Sequence, residues 1–202
     1  MGKYLEVKWH GRAGQGVITA ASVLAEVLAM EGKYVQAFPE FSLGEKTPAA
    51  KAYNRLSDSP LRLHSAIENA DVVIIMDPAL ILNTDSNSHS DAKKNAKENA
   101  FYIVNTPLSP EYIKEKLDVP ASIVYTLDAD TIAREEIGEA IPNIPIMAVL
   151  MNWINWIPLE NFKQRLNESL IHTHRLGAER VLANIKSVDR GLKEVKELKI
   201  DH

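Results

Sequence analysis

Cysteine is absent from the 202-residue sequence. The absence excludes disulfide bonds, zinc sites built from thiolates, a cysteine nucleophile and any iron–sulfur cluster ligated through cysteines of this chain. Any metal-dependent redox chemistry in which the protein takes part should therefore depend on a metal held by a partner.

The sequence has neither an excess of positive charge nor a long apolar run. Its net charge of −4 at pH 7 provides no basic surface for nucleic acid or for an anionic membrane. No apolar stretch approaches the roughly 18 residues of a membrane span, and the charged N-terminus MGKYLEVKWHGR does not resemble a signal peptide. We therefore expect a cytoplasmic protein that binds neither nucleic acid nor membrane.

Apolar patterns near the N-terminus predict a βαβ unit. They indicate a strand over Tyr4–Trp9, a helix over about Val17–Met30 that stops at Gly32, and a second strand over Tyr34–Phe38. Period-two alternation around a turn in Ala49–Leu63 predicts an antiparallel hairpin. The sheet should therefore be mixed.

The remainder of the chain predicts further strands and then helices. Segments rich in β-branched residues predict buried strands over Asp71–Met76, Phe101–Val104 and Ser122–Leu127. The polar segment Asn83–Asn99 predicts a surface loop that leads into a short helix. From Pro142 onward the chain should be helical throughout, with helices over Ile144–Trp156, over Leu159–Leu170 and to about Leu198.

These elements predict one α/β domain over residues 1–202. Its mixed, mostly parallel sheet should be flanked by helices in a Rossmann-like three-layer sandwich, with residues 142–202 as a helical extension. Trp153 and Trp156 lie three residues apart on a predicted helix, and we expect them in the core rather than against another chain.

A glycine-rich turn, Gly11-Arg12-Ala13-Gly14-Gln15-Gly16, connects the first predicted strand to the first helix. Glycines let the backbone approach a ligand closely, and the free N–H groups of a helix N-terminus attract anions. The spacing G-x-x-G-x-G is neither the dinucleotide fingerprint nor the Walker A pattern, so it predicts neither NAD nor ATP. Arg12 and Gln15 favour phosphate or carboxylate, with His10 at the strand end. A tight connection with Arg12 in solvent is the alternative.

A second candidate segment, QAFPEFSLGEKTP at residues 36–48, follows the second predicted strand. Because the carboxyl ends of parallel strands lie at one edge of a sheet, this segment should meet the glycine turn. Lys46 and Lys51 add positive charge there, and Glu40 and Glu45 are available to pair with them. A solvated loop is the alternative interpretation.

No other group of residues suggests catalysis or metal binding. The histidines beyond His10 have no carboxylate partners at metal-ligand spacing, and they are His64, His89, His172, His174 and His202. The sequence contains no G-x-S-x-G elbow and no GDG…N stretch of the kind that holds Mg²⁺ and thiamine diphosphate. We therefore assign no catalytic residue and no metal ligand to this chain.

Several motifs together resemble the gamma subunit of the 2-oxoacid:ferredoxin oxidoreductases. They are WHGRAGQGVITAASVLAEVLAMEGKYVQAFPEF and AYNRLSDSPL, followed more weakly by DVVIIMD, Val104-Asn105-Thr106, Asp128-Ala129 and Ile141-Pro142-Asn143. The combination of GRAGQG, GKYVQAFPE and AYNR at these separations is far more specific than a glycine turn alone. The resemblance covers roughly residues 4–155.

The resemblance implies a multi-subunit enzyme that oxidises a 2-oxoacid on thiamine diphosphate and transfers the acyl group to coenzyme A. Thiamine diphosphate, Mg and [4Fe–4S] clusters are expected on alpha, beta and delta-type partner subunits, and ferredoxin is reached through the complex. The gamma subunit would bind no cofactor alone but would help to cover the active site and bind coenzyme A. The candidate residues that face this site are Gly11, Arg12, Gly14, Gln15, Gly16, Phe38, Pro39, Glu40 and Lys46.

One segment departs from the family pattern. Relatives usually show an acidic residue, an arginine and Gly-Ala-Pro after the Phe-Pro-Glu stretch, whereas here Glu45 holds the arginine's place, with Lys46 adjacent. Either Lys46 replaces that arginine or the enzyme uses another substrate than pyruvate, such as phenylglyoxylate, indolepyruvate or 2-oxoglutarate. Pyruvate is the favoured substrate. A free-standing nucleotide-binding or regulatory module and a structural spacer are the alternative functions.

Overall fold

The computed structural model describes residues 4–41, 49–82 and 93–197. Within these ranges the strands form one sheet in the order β2-β3-β1-β4-β5-β6-β7. The pairs β1–β4, β4–β5 and β5–β6 are parallel and the other three are antiparallel, so the predicted mixed sheet is confirmed. The strands are β1 (Tyr4–Arg12), β2 (Tyr34–Phe41), β3 (Ala49–Ser57), β4 (Ala70–Ile75), β5 (Ala96–Asn105), β6 (Ile123–Leu127) and β7 (Lys196–Glu197).

Helices cover both faces of the sheet, as the three-layer prediction requires. One apolar core joins the sheet to α1, α4, α5, α6 and α7, and a second core joins the opposite face to α2 and α3. None of the described helices is long and apolar enough to span a membrane. The helices are α1 (Val17–Met30), α2 (Ala79–Leu82), α3 (Pro110–Leu117), α4 (Ala129–Ile137), α5 (Asn143–Ile154), α6 (Leu159–His172) and α7 (Ala178–Glu194).

The predicted hairpin over residues 49–63 is wrong. β3 pairs antiparallel with both β1 and β2, and residues 61–63 form no strand. The alternation in β3 reflects its two differently packed faces. A period of two in the sequence does not determine which strands pair with β3. Because β3 lies between two antiparallel neighbours, β1 and β2 still point in the same direction and end at the same edge.

Two further segments differ from the prediction. Residues 96–99, placed in a loop and short helix by the sequence pattern, form the start of β5, while residues 83–92 lie outside the described residues. After α7 the chain adds β7, which pairs antiparallel with the edge strand β6, so the C-terminal region is not helical throughout. Strand pairing with β6 overrides local helical preference there.

The residues of the recognisable motifs hold β1, β3 and α1 together. The indole N–H of Trp9 donates to Asn54 Oδ1 at 2.8 Å, and Asn54 Nδ2 donates to the carbonyl of Ala21 on α1 at 2.9 Å. On the opposite face, buried Arg55 donates to Glu6 Oε1 through Nε at 2.8 Å. Trp153 and Trp156 pack against the first core, as predicted; the ring of Trp153 stacks on Phe101 with centroids 4.3 Å apart.

Candidate functional site at the glycine turn

The glycine turn between β1 and α1 is closed by one of its own side chains. Gln15 Oε1 accepts the backbone N–H of Arg12 at 2.8 Å, and the N–H of Gln15 donates to the carbonyl of Arg12 at 3.2 Å. Gly14 and Gly16 both have positive φ, 90° and 78°, which glycine adopts readily. The amide oxygen of Gln15 therefore shapes the turn instead of facing a ligand.

Two of the three glycines are required by close packing. A Cβ at Gly11 would lie 2.8 Å from Val17 Cγ2 and 2.9 Å from Gln15 Oε1. A Cβ at Gly16 would lie 2.8 Å from Asn143 Nδ2, in the first turn of α5. The turn is thus packed between α1 and the N-terminus of α5.

The first turn of α1 presents backbone donors to a cavity of about 370 Å³. Gly16 is the N-cap and supplies no side-chain hydrogen bond, and the first turn contains no acidic residue. The N–H of Ala20 donates to the carbonyl of Gly16 at 2.8 Å, so the three preceding N–H groups have no acceptor within the helix. Such donors, with the positive end of the helix dipole, suit an anion. The cavity is lined by Arg12, Ala13, Gly14, Gly16, Val17, Ile18, Thr19, Ala50, Ile141 and Asn143.

Arg12 is positioned by a carboxylate at the end of β4. Its Nε forms an ion pair with Asp77 Oδ2, and Asp77 Oδ1 accepts the N–H of Ala79 at 2.9 Å. Asp77 is nearly buried, whereas the side chain of Arg12 keeps 37% of its accessible surface. The described part of the chain gives the two terminal guanidinium nitrogens no acceptor, so they are available to an anion.

This arrangement lies where open α/β sheets bind their ligands. From β1 the chain runs through α1 to the β2 side of the sheet, whereas β4 lies on the other side of β1. The carboxyl ends of β1 and β4 therefore flank the point at which the strand order reverses, and ligands of such sheets gather in this crevice.

The same sheet edge becomes acidic away from the turn. Asn105, at the end of β5, donates to the carbonyl of Met76 at 2.9 Å and accepts the N–H of Ala129 at 2.9 Å. Burial raises the pKa of Asp130, although a hydrogen bond with Asn105 opposes this, and the charge of Asp128 raises it further. The edge therefore favours an anion at the glycine turn and disfavours one near α4.

The structure divides the predicted site residues between the two faces of the sheet. Phe38 stacks on Tyr53 at 5.5 Å and packs against the second core, on the face opposite α1. Glu40 accepts the hydroxyl of Tyr53 at 2.6 Å and lies 3.6 Å from Lys51 Nζ. Pro39 is exposed on edge strand β2. The two segments thus end at one edge, but Phe38 and Glu40 do not line the cavity.

Two other predicted residues are His10 and Lys46. His10 is buried and lies beside Lys51 in the strand register, on the face away from α1. It therefore does not line the cavity. Lys46, with Glu45, lies outside the described residues, and its role stays a prediction.

Sequence reasoning missed the residues that complete the site. Asp77 follows the buried strand β4, and a polar residue directly after such a strand is a signal for this edge. Ile141 and Asn143 also line the cavity, although they lie more than 120 positions after the turn in the sequence. Their short motif before a helix gave no indication of a contact with Gly16.

Across residues 4–41, 49–82 and 93–197, no three histidine, cysteine, aspartate or glutamate side chains are grouped to hold a metal ion. Without cysteine, the chain does not fit a thiolate-held [4Fe–4S] cluster.

Fold and site together define an α/β domain whose glycine turn is suited to an anion. The family model described as pyruvate ferredoxin/flavodoxin oxidoreductase matches residues 6–194, and the chain belongs to this family. The resemblance to the gamma subunit of 2-oxoacid:ferredoxin oxidoreductases is thereby confirmed.

Similar proteins match most of the chain. The pyruvate synthase subunit PorC of Thermotoga maritima is 35% identical, over 96% of this chain and 96% of its own length. The common subunit gamma of the pyruvate/ketoisovalerate oxidoreductases of Thermococcus litoralis is 34% identical, over 82% of this chain and 86% of its own.

Two solved structures share the fold of this chain. The crystal structure of the pyruvate oxidoreductase subunit PORC of Thermotoga maritima matches with a TM-score of 0.79 at 34% identity, covering 98% of this chain and 99% of its own. The 2-oxoglutarate:ferredoxin oxidoreductase of Magnetococcus marinus, solved with 2-oxoglutarate, coenzyme A and succinyl-CoA, matches with a TM-score of 0.72. This chain covers 31% of that one at 19% identity, which shows a shared fold.

Proposed function

We propose that this gamma-type subunit serves an enzyme that converts pyruvate and coenzyme A to acetyl-CoA and CO₂ while reducing ferredoxin. Its glycine turn holds a phosphate of coenzyme A and helps to cover the active site. Thiamine diphosphate, Mg and the [4Fe–4S] clusters are held by partner subunits of alpha, beta and delta type. The observation that carries the proposal is the set of uncapped N–H groups of α1 beside Arg12.

The names of the relatives support coenzyme A as the ligand. One relative is described as a subunit common to pyruvate and ketoisovalerate oxidoreductases. A subunit shared by two such enzymes is suited to a task that does not depend on the 2-oxoacid side chain. Coenzyme A is the acyl acceptor in both reactions, and its phosphates match an anion site.

A charge reversal at the first turn of α1 tests the proposal. Thr19 is exposed and lines the cavity, so Thr19→Glu adds a negative charge where a phosphate would bind. An acidic residue there also suits the helix dipole, so weaker coenzyme A binding will not reflect an unstable helix. Repulsion between charges about 4 Å apart, about 1.4 kcal/mol or more, should raise KM for coenzyme A at least about tenfold.

The measurement uses steady-state kinetics of the assembled enzyme, with Thr19→Gln as the neutral control of similar size. KM for coenzyme A should stay within about twofold of wild type in the control, and KM for pyruvate should be unchanged in both. Equal KM values for coenzyme A in the two variants would contradict a phosphate at this turn.

The free-standing module makes a different prediction. It requires tight binding of coenzyme A, NAD or ATP by the isolated chain, measured by calorimetry. A subunit whose site is completed by its partners should bind these ligands weakly alone and should copurify from its host with thiamine- and cluster-bearing chains. Purification as a single chain with tight nucleotide binding would favour the module.

A further inference from the structure

The ion pair between Arg12 and Asp77 joins the glycine turn to the end of β4. Arg12 contacts Asp77 Oδ2 through Nε, and the side chain of Asp77 keeps only 12% of its accessible surface. A carboxylate beside an anion site is unexpected, because its charge repels the anion that the site attracts. If the turn binds an anion, Asp77 has to contribute something that outweighs this repulsion.

Asp77 is held firmly where β4 ends. Its Oδ1 accepts the N–H of Ala79 at 2.9 Å. The preceding residue, Met76, donates its N–H to the carbonyl of His10 at 2.7 Å, and its own carbonyl accepts Asn105 Nδ2 at 2.9 Å. These bonds fix the backbone before Asp77 to both β1 and β5. The carboxylate can therefore hold a guanidinium in one place.

Arg12 is fixed at both ends of its side chain. Its backbone N–H donates to Gln15 Oε1 at 2.8 Å, and its guanidinium is held by Asp77. The carboxylate engages the Nε side of the guanidinium, so the pair of Nη nitrogens remains for an anion. A free arginine side chain samples many rotamers, and ordering it during binding weakens the affinity for a ligand.

We propose that Asp77 is a positioning residue for coenzyme A binding, which acts by holding Arg12 in the orientation that meets a phosphate. The inference rests on the proposed function, in which the glycine turn binds that phosphate. Asp77 orders the guanidinium before the ligand arrives, so that binding does not have to order it. Arg12→Lys would lose this arrangement, because an ammonium group lacks the planar fork that contacts a carboxylate and a phosphate together.

The positioning effect of Asp77 has the opposite sign from the effect of its charge. Asp77→Asn keeps an oxygen for the N–H of Ala79 but removes the charge that holds Arg12. Loss of a repulsive charge alone would lower KM for coenzyme A. Loss of an ordered Arg12 should instead raise KM for coenzyme A about three- to tenfold in steady-state kinetics of the assembled enzyme. The values of kcat and of KM for pyruvate should stay within about twofold of wild type.

Asp128→Asn is the matched control. Asp128 follows β6 at the same edge of the sheet, and its Oδ1 accepts the N–H of Thr131 at 3.2 Å, much as Asp77 Oδ1 accepts that of Ala79. The ion pair of Arg12 is with Asp77 and not with Asp128. The control should therefore leave KM for coenzyme A within about twofold of wild type. An equal rise in both variants would refute a positioning role.

The same substitution in an Arg12→Met enzyme tests whether Asp77 acts through Arg12. Without the guanidinium, Asp77 contributes only its charge, so adding Asp77→Asn should leave KM for coenzyme A unchanged or lower it. A rise of the same size with and without Arg12 would overturn the inference.

Arg12→Lys decides the question if Asp77→Asn prevents assembly. It keeps the charge opposite Asp77 but should raise KM for coenzyme A about threefold or more. A KM for coenzyme A equal to that of wild type would refute the inference.

The outcomes separate this inference from the proposed function. If Thr19→Glu raises KM for coenzyme A while Asp77→Asn lowers it or leaves it unchanged, Asp77 does not position Arg12 and the phosphate site stands. If Thr19→Glu raises KM for coenzyme A but Arg12→Met does not, the inference also fails and the phosphate site again stands. If neither substitution changes KM for coenzyme A, both proposals fail.

Discussion

Replacing Gly16 by alanine should reveal how tightly the glycine turn is packed against α5. Gly16 has φ 78°, and an added Cβ would lie 2.8 Å from Asn143 Nδ2 and 3.1 Å from Ile141 Cγ2. Asn143 is buried, and its Oδ1 accepts the N–H of Ile144 at 2.9 Å, so it cannot move aside without losing that bond. The substitution therefore adds a steric conflict to an unfavourable backbone conformation.

The size of the effect follows from these two contributions. A left-handed conformation costs a non-glycine residue about 1–2 kcal/mol. Inserting a methyl group into a packed site costs about 1–3 kcal/mol more. Gly16→Ala should therefore lower the free energy of unfolding by about 2–5 kcal/mol. Gly14→Ala is the matched control, because Gly14 has φ 90° and open space around its Cβ position, so only the backbone cost applies.

Urea denaturation and thermal unfolding of the purified chain measure the difference. Gly16→Ala should be less stable than Gly14→Ala by at least about 1 kcal/mol, which corresponds to about 2–4 °C in Tm for a chain of this size. Equal losses in the two variants would refute the close contact between the turn and the N-terminus of α5. The cavity at the glycine turn would then lack its wall of Ile141 and Asn143.

Three other substitutions test the surroundings of the site. Arg55→Met should cost about 3–5 kcal/mol in urea denaturation because it leaves Glu6 buried without its counter-charge, and a cost below 1 kcal/mol would contradict this. Asn54→Leu should cost about 2–4 kcal/mol because it removes both the acceptor of the Trp9 indole and the donor to the carbonyl of Ala21, and an unchanged urea midpoint would contradict this. Asp130→Asn should raise Tm at pH 7: burial raises the pKa of Asp130, so the stabilising protonated form is present at low pH and lost as pH rises through that pKa. The gain in Tm should shrink towards pH 4. A gain in Tm that does not depend on pH between 4 and 7 would contradict a raised pKa of Asp130.

The sequence predicted α1 and the buried strands because their signals are local. Both ends of α1 carry a glycine with positive φ, Gly16 before it and Gly32 after it, and the apolar residues between them recur at helical spacing. The observed bounds of Val17–Met30 match the prediction. β4 likewise follows from its run of β-branched residues, which is typical of a strand buried on both faces.

The position of β3 was not predictable in the same way. Its alternating pattern fits a hairpin as well as a strand between two partners, because pairing is decided by residues far away in the chain. The ion pair of Arg12 with Asp77 has the same origin, since it joins positions 65 residues apart. The sequence predicts an anion site at the turn, and this stays a prediction; which side chains line the cavity there could not be predicted from local patterns.

The recognisable motifs mainly build the scaffold of this site. Trp9 and Asn54 join β1, β3 and α1 through hydrogen bonds. Gln15 closes the turn, and Gly11 and Gly16 leave room for the side chains packed against it. The cavity itself is bordered by the first turn of α1, by Arg12, and by Ile141 and Asn143. Substitutions within the motifs will therefore act first on stability, and a loss of activity there says little about ligand binding. Variants at cavity positions outside this packing, such as Thr19, separate the two effects.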